Sequence, residues 1–290
     1  MPPTHAVIIP HYNDVERLAR CLAAVFSEDV TGVEILVVDN GSTQPLDPVR
    51  ENFPMVVFVA EPNKGAALAR NRGVSESTAA GLIFLDADCL PVPGWLTAAK
   101  RASDGADIVG GAIDVFDETP PPRTGAQAFE TVFAFNYKDY IERKRFSVTA
   151  NLVTTRDVFT AVGDFIDGVS EDAEWCQRAT AKGFTLTLDE TMRVGHPTRS
   201  DWGALERKWR RIAQEMYQLH RAGHAGWAGN ALWFLRALVM LASIPVHIPK
   251  LLGSAKLNGM AERLKGIATL VHLRVLRSWW MIRQALGRPV

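Results

Sequence analysis

The chain has 290 residues, 47% hydrophobic and 22% charged, which excludes wholesale disorder and a small disulfide scaffold. Thirty-two Lys and Arg balance thirty-two Asp and Glu, so net charge points to no nucleic-acid partner. The balance hides a division: residues 200–290 hold 14 Lys and Arg against four acids, a net +10, and the rest of the chain carries −10. An acidic body with a basic, apolar tail points to two separate roles. Cys21, Cys89 and Cys176 are widely spaced and form no CxxC, so neither a disulfide framework nor a zinc cluster is expected, and a cytoplasmic location fits. The N-terminus reaches an apolar strand within a few residues and has no charged leader segment, so no signal peptide is expected.

The hydrophobic pattern predicts buried strands at His5–Pro10, Val33–Asp39, Val56–Ala60, Gly81–Asp86 and Ile108–Ile113. Helices are predicted between them over Asp14–Ser27, Ala66–Ser77 and Gly94–Ala102. Apolar strands alternating with helices indicate an α/β fold with a mostly parallel central sheet covered on both faces. Pro120-Pro121-Pro122 marks a break, and a second half follows. Helix is expected over Ala126–Lys144, Arg156–Val162 and Glu171–Lys182, with Thr149–Thr155, Phe184–Leu188 and Thr191–Val194 extended. The expected division is a catalytic domain over 1–199, with halves at about 1–115 and 116–199, and a helical tail over 200–290. In that tail Leu205, Trp209, Ile212, Met216 and Leu219 recur at helical spacing, Ala231–Ile248 is an interrupted apolar run, and Met260–Ala285 is again largely apolar.

Asp86-Ala87-Asp88 directly follows an apolar strand. Ligands of open α/β sheets bind beyond the carboxyl ends of strands, and two acids one residue apart can face one hard cation and the phosphates it bridges. A solvated acidic loop is the alternative. Asp39 ends a second strand and could accept a hydrogen bond from a nucleobase, or simply cap a turn. Around Gly65, a helix start where backbone can approach a ligand, Lys64, Arg70 and Arg72 are either phosphate or base contacts or ordinary helix-surface charges. Neither G-x-G-x-x-G nor G-x-x-x-x-G-K-[ST] occurs, which removes support from dinucleotide and P-loop readings. Glu171 and Asp172 open a helix, where acids cap or favour the helix dipole, or, in a cleft, act as a general base. His196 after a short strand is either a buried or surface histidine or a metal ligand.

Taken in order, Val7-Ile8-Ile9-Pro10-His11-Tyr12-Asn13, Asp39, Asn63 to Gly73, Asp86-Ala87-Asp88, Ala150-Asn151-Leu152, Glu171-Asp172 and His196 resemble the pattern of glycosyltransferase family 2, inverting enzymes of GT-A fold. The resemblance covers about residues 5–200. It implies Pro10 and Tyr12 beside the nucleotide, Asp39 holding the base, typically uracil, and Lys64 and Arg70 flanking the nucleotide. Asp86 would contact ribose or metal, and Asp88 a divalent cation, Mn2+ or Mg2+, with His196 as an additional ligand. Asn151 and Trp175 would shape the acceptor pocket, Asp172 would be the catalytic base, and Glu171 would orient it or contact acceptor. QxxRW is absent, which implies a non-processive enzyme. The expected partners are a nucleoside diphosphate sugar, a glycan or lipid-linked acceptor, and an anionic membrane surface for the tail. The rival readings are a nucleotidyltransferase, which would release pyrophosphate, and a non-catalytic sugar-nucleotide-binding scaffold.

Overall fold

The computed structural model describes residues 2–290. In chain order the first elements are β1 (His5–His11), α1 (Val15–Phe26), β2 (Val33–Asp39), α2 (Asp47–Asn52), β3 (Val57–Ala60), α3 (Ala66–Glu76), β4 (Gly81–Leu85), β5 (Leu90–Pro91), α4 (Trp95–Ser103) and β6 (Ile108–Phe116). They are followed by α5 (Gly125–Phe133), α6 (Tyr137–Glu142), β7 (Asn151–Thr155), α7 (Arg156–Val162), α8 (Glu171–Ala181), β8 (Leu186–Pro197), α9 (Trp202–Gly223), α10 (Gly226–Ala242), α11 (Ile244–Leu252) and α12 (Gly259–Ala285).

Among the described residues the strands form one eight-stranded sheet in the order β3-β2-β1-β4-β7-β6-β8-β5. Strands β3, β2, β1 and β4 run parallel, as their near-continuous apolar sequences demand. Beyond β4 the sheet changes character: β7 pairs antiparallel with both β4 and β6, and β5 pairs antiparallel with β8. The sheet is therefore mixed, whereas the sequence pattern alone predicts a mostly parallel one.

Two compact units account for the chain. The first comprises residues 1–114, 136–167 and 171–196. Its core on one sheet face brings Ile8, Leu36, Leu82 and Phe84 against Ala67 and Val74 of α3, Val158 and Phe159 of α7, and Trp175, Cys176 and Ala179 of α8. Side chains alternate across a strand, so Val7 and Ile9, both fully buried, serve the opposite face. Helix α3 lies close on β1 because Gly73 has no side chain; a Cβ there would collide with Ile8 Cγ2. The three cysteines are free and buried, in agreement with the absence of a disulfide framework. Burial pushes the Cys176 thiol up to about 12, which leaves it unreactive near neutrality.

The second unit comprises residues 115–135, 168–170 and 197–290. The domain division thus differs from the sequence expectation, because α5 groups with the C-terminal helices instead of with the acceptor half. Phe129 of α5, Leu205 of α9, Leu251 of α11 and Leu270 and Leu273 of α12 share one core. Thr124 caps α5 with a reciprocal capping box to Gln127. Buried Glu130 on α5 binds Lys208 of α9 at 2.7 Å and Arg199 at 3.1 Å.

Candidate active site

Four element ends in the first unit carry the chemistry. At the end of β1 and β2, His11 and Asp39 are register partners and their side chains meet at 3.2 Å. The tautomer follows from the neighbours. Asp14 N–H donates to His11 Nε2, so the ring proton sits on Nδ1 and donates to Asp39 Oδ1. Ser42 N–H approaches the other carboxylate oxygen at 3.3 Å. Asn40 then ties three segments: its Nδ2 donates to the carbonyls of Glu61 and Asn63, and its Oδ1 accepts from Gly65 N–H at the start of α3. Gly65 has φ +152°, and a Cβ there would strike the Asp167 carboxylate. Tyr12 is 52% exposed, with Lys64 Nζ 5.4 Å from its ring centre. Pro10 is the next-to-last residue of β1, paired in register with Val38. His11 and Asn40 carry no prediction from sequence; an Asn directly after a strand-ending Asp is the signal that could have found the second.

At the end of β4, Cys89 N–H donates to the Asp86 carbonyl and closes the turn that holds Asp86 and Asp88. The β5–β8 register pairs Leu90 with Gly195, which brings Asp88 beside His196; Asp88 Oδ2 and His196 Nε2 lie 3.4 Å apart. A carboxylate oxygen and an imidazole nitrogen so placed suit a Mn2+-type cation. Asp86 does not join them. Its Oδ1 accepts from Arg70 Nη2 at 2.7 Å, and among the described residues no group of three or more acid, His or Cys side chains is gathered for a metal. Of the three predicted ligands, Asp88 and His196 are thus brought together, and Asp86 is turned toward Arg70.

At the start of α8, Glu171 Oε1 accepts from Arg70 Nη1 at 2.9 Å. Asp172, next along, accepts its own first-turn Ala173 N–H at Oδ1 and is half-buried. Burial alone would lower the Arg70 guanidinium; the charges of Asp86, Glu171 and Asp172 outweigh it and hold it above its ordinary value.

Three expectations are corrected by burial. Arg70 is only 4% exposed and spends both terminal nitrogens on Asp86 and Glu171, so it does not flank a nucleotide. Trp175 is fully buried against Phe159 and Phe165, with its ring N–H bonded to Gly163 O, so it offers no face to a sugar. Asn151 is fully buried as well. It accepts from Trp95 Nε1 and donates to the carbonyls of Ala112 and Met192, so it braces α4, β6 and β8 instead of lining an acceptor pocket.

Carboxylates gathered beyond the strand ends of an α/β sheet stand where such folds bind their ligands. Residues 6–165 match the family model "Glycosyl transferase family 2", and the chain belongs to that family. It is 31% identical over 247 residues to glycosyltransferase AglE of Haloferax volcanii, covering 80% of each chain. It is 26% identical over 217 residues to the pre-mycofactocin glycosyltransferase of Mycobacterium tuberculosis, covering 69% of this chain and 45% of that one. A mannosyltransferase from Pyrobaculum calidifontis, PcManGT, solved in complex with GDP-Man and Mn2+, shares the fold with a TM-score of 0.62 at 18% identity, over 97% of this chain and 87% of that one.

Proposed function

We propose that this glycosyltransferase moves a sugar from a nucleoside diphosphate sugar to an acceptor hydroxyl with inversion, one or a few sugars at a time. The observation that carries the reading is the pairing of Asp88 with His196 at one strand end, with Asp172 separate at the start of α8. The donor would lie over β1 and β2, its base accepted by Asp39, which His11 and Ser42 hold in place, with Pro10, Tyr12 and Lys64 around it. A uracil N–H and a guanine N–H both suit Asp39. The resemblance favours UDP, whereas PcManGT was solved with GDP-Man. Asp88 and His196 would hold a divalent cation. When bound, such a cation offsets the charge that develops on a leaving diphosphate.

Asp172 takes the proton from the acceptor hydroxyl as that oxygen attacks the anomeric carbon and the C–O bond to the diphosphate breaks. The proton goes to the carboxylate and the electron pair to the diphosphate. General-base help of this kind is worth roughly 10²–10⁴ in rate. Asp172→Asn is therefore expected to lose turnover by that factor and still bind UDP or GDP with Mn2+ as wild type does. Turnover retained in the variant would overturn the assignment.

We also infer that the second unit rests on an anionic membrane surface on the cytoplasmic side, which would suit a lipid-linked acceptor. Residues 226–252 are long and apolar enough to cross a membrane, and mostly exposed. Pro245 and Pro249 interrupt the run, and basic residues flank it, so lying in the interface fits better than spanning.

A further inference from the structure

We propose that Arg70, with its neighbour Asn71, is the positioning residue for the catalytic base: α3 holds the segment leading into α8 and so fixes Asp172 relative to the end of β4. This rests on Asp172 as base.

Three contacts from α3 and its first residues converge on that segment. Gly65 leaves no room beyond its α-carbon before the Asp167 carboxylate. Asn71 makes a two-way link to the backbone of Phe165, donating from Nδ2 to its carbonyl at 2.9 Å and accepting its N–H at Oδ1 at 3.0 Å. Arg70 closes the third, taking Glu171 with one nitrogen and Asp86 with the other. Helix α3 is itself held: Asn40 anchors its first turn and Gly73 seats it on Ile8. The result is a bridge from the carboxyl end of β4, through a buried guanidinium, to the first residue of α8.

Asp86 and Glu171 engage both terminal nitrogens of the buried guanidinium with charge-assisted bonds, while its Nε is buried without a hydrogen-bond partner. The fork geometry lets one side chain take two acids from two elements, which an ammonium at the same position cannot reproduce. Asp172 follows Glu171 directly, so a shift of Glu171 displaces the base. A misplacement of about 1 Å at a reacting group costs on the order of 10²-fold in rate. An arginine that touched the nucleotide would instead weaken donor binding when removed. The two roles therefore separate in kcat against donor affinity.

The test compares wild type with Arg70→Met, Arg70→Lys, Glu171→Gln and Asp172→Asn. Two quantities are read: calorimetric affinity for UDP and GDP with Mn2+, and release of nucleoside diphosphate from whichever UDP- or GDP-sugar the wild type turns over. Arg70→Met is expected to lower kcat about 10²-fold and to leave nucleotide affinity within about threefold, Arg70→Lys to recover part of the loss, and Glu171→Gln to show a smaller loss of the same kind. Should Arg70→Met fail to fold, as melting will report, Arg70→Lys and Glu171→Gln carry the same comparison. The inference is overturned if nucleotide affinity falls in step with kcat, or if the Arg70 and Glu171 variants keep wild-type kcat while Asp172→Asn is inactive. Full turnover in Asp172→Asn defeats the base assignment instead.

Discussion

Asp88 and Asp172 have different neighbours, and the roles proposed for them differ accordingly. Asp88 faces the imidazole of His196 across a strand pair, the place proposed for a cation. Asp172 opens a helix, with its Oδ1 accepting the Ala173 N–H, beside a buried arginine whose terminal nitrogens bind Asp86 and Glu171. That these acids stand at strand ends and at a helix start was legible in the sequence, because the apolar pattern around them announces those places without knowledge of the fold. The misreadings share one cause. Asn151, Trp175 and Arg70 are residue types that bind ligands when exposed, and sequence does not reveal that tertiary packing has closed over them. Trp175 in particular sits on an amphipathic helix, where an aromatic at helical spacing is a core residue as readily as a sugar platform.

At the scale of elements, the helices and strands with strong periodicity fall where the pattern predicts: β2 spans Val33–Asp39 and α7 Arg156–Val162, both as expected. The differences have local causes. The helix expected over 126–144 breaks after Phe133, where Phe135 adopts φ +50°, and resumes as α6. The two short strands expected after Gly183 are one long strand, β8, paired with a two-residue β5 too brief for any periodicity to signal. In the second unit Glu130 joins α5 to α9. Burial alone would raise its carboxyl, but Lys208 and Arg199 hold it below its ordinary value of 4.5. A folded-state value below the unfolded one contributes stability that is present above about pH 4.5 and lost as pH falls through the folded value. Urea denaturation of wild type and Glu130→Gln is therefore expected to differ most near pH 7 and to converge as pH falls through the lowered folded-state value. A difference independent of pH would show that the ion pairs do not carry it.

Over the whole molecule, the charge division read from sequence coincides with a second unit that is basic and outwardly apolar. Trp227 is 84% exposed, Val239 and Val246 66% each, and Trp279 55%. If these side chains meet the anionic surface proposed above, flanking cations such as Arg221 and Lys250 would each add about 1 kcal/mol to the attraction. The protein is expected to sediment with vesicles containing phosphatidylserine at low salt, to release partly at high salt, and to bind less when Trp227 and Val239 are both replaced by Ser. Failure to sediment with such vesicles would contradict the membrane reading and leave the catalytic one intact. The boundary of the second unit was not legible, because α5 is separated from α9 by some 70 residues and joins it only through tertiary packing.

The central claim is that the ends of β1, β2, β4 and β8 form one cation-dependent site for a nucleoside diphosphate sugar. Calorimetric titration of UDP- and GDP-sugars into wild type and Asp88→Ala, with Mn2+ and with EDTA, tests it most directly. The account predicts that one donor binds wild type with Mn2+, and that EDTA and Asp88→Ala each weaken that binding by about 10-fold or more. Binding that is equally strong with EDTA and in Asp88→Ala, or no binding of any donor, would contradict it.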